Sequence, residues 1–139
     1  MESKRRDYSY SYAIVRVVPR VERGECVNAG VIVYSREAAF LDAIVEPDPA
    51  RIRALDSQVD LTLVERHLDA FCAICAGRPE GGPMAELPPH ERFHWLTAPR
   101  STIVQTSPVH VGLTNDPAAT LNELMDTFVR LSPIRRDKF

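Results

Sequence analysis

The densest run of reactive side chains lies between residues 100 and 110, where Arg100, Ser101, Gln105, Ser107 and His110 stand among threonines and prolines. An arginine beside hydroxyls and an imidazole can hold a phosphate or carboxylate through charge-assisted hydrogen bonds, the guanidinium supplying a planar fork of donors. Asn28 joins these candidates because it is an amide inside an otherwise apolar run, and such breaks of local pattern fall at functional or strained sites. If the strand carrying Asn28 neighbours the strand carrying Gln105, then Asn28, Arg100, Ser101 and Gln105 line one polar groove. That groove would bind an anionic group or a polar segment of a partner, and Ser107 and His110, flanking the other end of the Thr102 to Thr106 strand, are further candidates for the same role. The competing reading gives Arg100 a carboxylate partner and leaves the serines to shape turns beside Pro99 and Pro108. No catalytic residue is assigned. A triad such as Ser101 or Ser107 with His110 and Asp116 would have to converge from one extended segment, and no G-x-S-x-G elbow is present.

Cys72 and Cys75 form a C-x-x-C, but they occupy the last turns of a helix, where the helix dipole opposes a thiolate. They also lie on that helix's apolar stripe and read as small core residues. A zinc site drawing on His67, Cys72 and Cys75, with His90 or His94, lacks the second close pair of a structural centre. Neither a G-x-x-x-x-G-K-[ST] nor a G-x-G-x-x-G sequence occurs, so no phosphate cradle is expected. No metal and no cofactor is predicted.

The elements that must position these groups follow from composition and periodicity. The chain has 139 residues, 45% apolar and 26% charged, with a formal charge of −2. That is a globular composition with room for one core, and it gives no global attraction to polyanions. The longest apolar run, Ala70 to Ala76, is far short of the roughly 20 residues a membrane helix needs, so no membrane association is expected. A charged start without an apolar stretch argues for the cytoplasm. Alternation makes strands of Tyr8 to Val18, Cys26 to Tyr34 and Ala39 to Glu46, joined as an antiparallel meander. The glycine at position 30 marks a bulge or the close approach of another backbone.

The period then changes to 3.6. Asp48 and Pro49 open a short helix through Leu55. Asp60 caps a longer one whose stripe is Leu61, Val64, Leu68, Phe71, Cys72 and Cys75, ending at Gly77. Arg78 to Pro89 reads as an irregular loop, and the segment around Phe93 and Trp95 fits either a helical turn or a short strand. Thr102 to Thr106 is a fourth strand. Asp116 and Pro117 start a last helix with Leu121, Leu124, Met125 and Phe128 on its buried face. The predicted fold is α+β: a mainly antiparallel sheet with helices packed on one face. One domain is expected over residues 8–132, between flexible basic ends at 1–7 and 133–139.

Three stretches carry a resemblance: YAIVRVVPR at Tyr12 to Arg20, VNAGVIV at Val27 to Val33, and FHWLTAPRSTIVQTSPVHVGLT at Phe93 to Thr114. Together they resemble the bacterial family called domain of unknown function 3037. The family patterns fall on Arg16, Arg20, Asn28, Gly30, Trp95, Arg100, Ser101, Gln105, Ser107 and His110. The resemblance implies a small partner encoded beside HipA-type serine/threonine kinases. The expected function is therefore non-catalytic protein interaction, modulating a HipA-like kinase. Two other classes are carried beside it. One is an enzyme or binding protein for a phosphorylated or nucleotide-like molecule, with Arg100 as clamp and His110 and Ser101 as acid-base groups. The other is a weak nucleic-acid-binding module using Lys4, Arg5 and Arg6 with Arg130, Arg135, Arg136 and Lys138, which the balanced charge disfavours. Self-association is compatible with all three.

Overall fold

A computed structural model describes residues 6–131. Most of the basic residues assigned to the two ends, Lys4, Arg5, Arg135, Arg136 and Lys138, lie outside the described residues. Strands β1 (Tyr8–Val17), β2 (Val27–Ser35) and β3 (Phe40–Val45) form the antiparallel meander. Two short later strands, β4 (Val104–Thr106) and β5 (His110–Thr114), both pair antiparallel with β1, β4 along its second half and β5 along its first. β1 is thus central along its whole length, which its apolar residues on both faces demand.

The helices are α1 (Pro49–Leu55), α2 (Leu61–Ala76), α3 (Pro89–Thr97) and α4 (Pro117–Phe128). Asp48, Asp60 and Asp116 cap α1, α2 and α4 by accepting from the first-turn N–H groups, and Gly77 closes α2 in the left-handed conformation at φ 71°. The segment read as a loop contains 3-10 turns over Pro79–Glu86, and the unsettled segment after it is α3.

The class is α+β, as expected, but the helices do not share one face. α1, α2 and α3 cover the side formed by Ala13, Val15, Val17, Val27, Ala29 and Ile32, with Ile52, Val64, Leu68, Phe71, Phe93 and Leu96 in that core. α4 covers the other side, where Leu121, Met125 and Val129 meet Val31 and Val33. The cause lies in β2. Val31, Ile32 and Val33 are consecutive and all fully buried, so both faces of the sheet require a cover.

Candidate functional site

The pairing of β1 with β2 slips between Val15 and Arg16: Val15 faces Gly30, and Arg16 faces Asn28, leaving Ala29 as the extra residue of a bulge. Because side chains alternate along a strand, one added residue moves every earlier side chain of β2 to the opposite face. Without it Asn28 would point into the core under α2. With it the amide points towards α4, where Nδ2 donates to the Phe128 carbonyl at 3.1 Å. Gly30 is dictated by the same region, because a Cβ there would stand 2.8 Å from Val45 Cγ1 and closer still to the Ile44 carbonyl. Both readings of that glycine, bulge and close approach, apply.

Arg16 also faces Gln105 on its other side, so Asn28, Arg16 and Gln105 form a polar row across β2, β1 and β4 on the α4 face. β2 and β4 are neighbours of β1 and not of each other, so the condition for a single groove through Asn28 and Gln105 is not met. Gln105 Nε2 donates to the Thr102 carbonyl at 2.8 Å. The Nε of Arg16 is buried with no hydrogen-bond partner among the described residues.

Arg100, Gln105 and Ser107 are brought together. With Thr97, Pro99, Thr106 and Pro108 they line a groove of about 320 Å³ at the free side of β4. Their polar atoms are engaged by backbone. Arg100 donates to the Trp95 and Ala98 carbonyls and stacks its guanidinium over the Trp95 ring, 5.0 Å from the centroid. No carboxylate pairs with it among the described residues. Ser107 is buried and its Oγ accepts from the Ile14 N–H while donating to the Pro108 carbonyl. Ser101 is exposed and does not line the groove. His110 opens β5 away from it, its ring 5.3 Å from that of Tyr12 on the α4 face.

Burial raises the thiols of Cys72 and Cys75, the latter to about 12, so neither is a thiolate at neutral pH. Among the described residues no three His, Cys, Asp or Glu side chains gather as a metal site requires. No helix among them is long and apolar enough to cross a membrane.

Two surfaces went unread in the sequence. β5 is an edge strand that presents Val111 and Leu113, each 72% exposed, on the side where Ser9 and Ser11 face them from β1. The alternation Val109, Val111, Leu113 was the available signal. The second surface is a cavity of about 400 Å³ lined by Tyr34, Arg36, Ala39, Phe40, Leu41, Pro89, His90 and Arg92. Its residues come from the β2–β3 hairpin, strand ends and turn together, and from α3, so no local spacing announces it.

A family model described as a protein of unknown function, DUF3037, matches residues 12–129. No curated protein and no solved structure matches the chain.

Proposed function

From the premise that the chain belongs to the DUF3037 family, we propose that it is a non-catalytic protein-interaction domain whose contact element is the outer edge of β5. The observation that carries this reading is the pair Val111 and Leu113, apolar and 72% exposed on an edge strand. Edge strands are ordinarily blunted by lysine, proline or a bulge, and the stretch from His110 to Thr114 has none of these. The occupant is an extended segment of another protein with apolar side chains at alternate positions. It adds as a further strand, its backbone meeting β5 and its alternate side chains meeting Val111 and Leu113. The engagement of Arg100, Gln105, Ser107 and Asn28 with backbone supports binding over catalysis, since these groups are occupied in holding the fold.

The partner to test first is a HipA-like serine/threonine kinase, as the resemblance implies. The kinase encoded nearest in the native host is co-expressed with the wild-type chain and with V111K/L113K. Capture by the wild type and loss of at least most of it in the doubly charged variant is the expected result. Both substitutions sit on an exposed face, so the variant keeps its fold, checked by circular dichroism. Equal capture by both forms, or no capture by either, overturns the reading.

A further inference from the structure

We propose that the cavity between the β2–β3 turn and α3 is a binding site for a small organic anion with a flat apolar body, of the aryl phosphate class. Its volume of about 400 Å³ lies within the roughly 300 to 1,000 Å³ of small-molecule sites. The lining divides by chemistry. Arg36, His90 and Arg92 form its polar part, and no Asp or Glu belongs to the lining. Tyr34 and Leu41 form its apolar part, with Ala39, Phe40 and Pro89 at the margins, the Phe40 ring itself packing towards α4.

Each half is fixed by contacts outside the cavity. The Tyr34 ring stacks on Phe93 of α3, with centroids 5.3 Å apart and planes at 30°, so one aromatic wall is held in place by the core. Arg92 is anchored by its Nη1, which donates to the Leu87 carbonyl at 2.6 Å. Its Nε is buried and has no partner among the described residues. Arg36 makes no ion pair among the described residues and brings a second guanidinium to the same space.

The rim adds an independent sign. The turn after β2 closes through the Ala39 N–H donating to the Arg36 carbonyl at 3.1 Å, and it places Ala39 at φ 51°. A side chain in the left-handed region is disfavoured, and backbone strain of this kind gathers at ligand clamps. Here it turns the chain so that Arg36 and Leu41 line one cavity. Inorganic phosphate would meet the two guanidinium groups and leave the aromatic wall bare. A neutral ring would fill the wall and leave the donors unmatched. Only a molecule with both parts uses the whole lining.

The test is a nitrogen-15 NMR titration of the full chain with phenyl phosphate, with inorganic phosphate and phenol as separate arms. Phenyl phosphate is expected to shift the amides of Arg36, Ala39, His90 and Arg92 and to bind more tightly than either fragment. R36A, at an exposed turn position that leaves the fold intact, should weaken it by about tenfold, as expected for loss of a charge-assisted hydrogen bond. R36E should abolish it. Saturable shifts by inorganic phosphate of equal strength would overturn the apolar requirement, and with it the ligand class. Shifts centred elsewhere, no binding by phenyl phosphate, or unchanged binding by R36A and R36E would overturn the site. None of these residues belongs to β5, so this test and the kinase capture fail independently.

Discussion

Ser107 satisfies both backbone groups of Ile14: its N–H donates to the Ile14 carbonyl, and its Oγ accepts from the Ile14 N–H, each at 2.8 Å. The residue stands where β4 ends and β5 has yet to begin, opposite the middle of β1. Its hydroxyl therefore does what a ladder residue's carbonyl would do, and the Ile14 N–H stays paired where β1 passes from one short partner to the next. S107A removes the acceptor and leaves the buried Ile14 N–H unmatched. The expected loss is about 1 to 3 kcal/mol, read as a lower urea midpoint with an unchanged slope. A wild-type midpoint in S107A would show that water replaces the hydroxyl.

The bulge at Ala29 makes a second, sharper case. Any side chain at position 30 must enter the space of Val45 and the Ile44 backbone, so β3 has to move or the bulge has to relax. Backbone cannot yield as a flexible side chain can. G30A is expected to cost about 1 to 3 kcal/mol, as overpacking does in close-packed interiors, although alanine has the better intrinsic propensity in extended chain. Thermal unfolding of G30A at or above the wild-type midpoint would refute the close approach.

The same bulge shows which parts of the molecule were legible in the sequence. Asp48, Asp60, Asp116 and Gly77 act through the backbone within a few residues of themselves, so their roles as caps could be read from type and position alone. α3 carries no such signature: Pro88 precedes it without a side-chain cap, and its start could not be seen. The face taken by α4 is set by the burial of Val31 and Val33 against a helix 90 residues later, which no local period encodes. Asn28 is visible in the sequence as a break in an apolar pattern. Its partner, the Phe128 carbonyl, lies 100 residues away, and that contact only becomes readable once the bulge has turned the amide to the α4 face. The cavity at Arg36 and Arg92 was invisible for the same reason.

Alkaline pH should unfold the protein through its buried weak acids. Burial raises Cys75 from 9.0 to about 12, and burial likewise raises Cys72 and Tyr10. Above pH 9 the unfolded chain releases protons that the folded chain keeps, so the stability present below that value falls as pH rises towards 12. From Cys75 alone the slope is at most roughly 1.4 kcal/mol per pH unit. C75A would create a small cavity at neutral pH, yet its stability should fall less steeply between pH 9 and 11. Denaturant midpoints of both forms across that range check it, and parallel pH profiles would exclude the thiol as a cause. In the native protein a thiol reagent should modify exposed Cys26 quickly and Cys75 only at the rate of unfolding.

Glu46 and Arg130 tie the end of β3 to the end of α4 by a bidentate pair, Nε to Oε1 at 2.9 Å and Nη2 to Oε2 at 2.7 Å. Arg130 also reaches Asp126 at 3.0 Å. The hydrogen bonds from Arg130 hold the Glu46 carboxyl below its ordinary value of 4.5. A depressed acid stabilises the fold at pH above its unfolded value, and that contribution is lost as pH falls through the folded value. Both partners are substantially solvated, so the effect is small and screened by salt. E46Q should lower the unfolding midpoint slightly at neutral pH and low ionic strength. The difference from wild type should close in molar sodium chloride and again in acid, where the native carboxylate is itself protonated. A deficit that persists in both conditions would mean that the glutamate acts through packing and not through its charge.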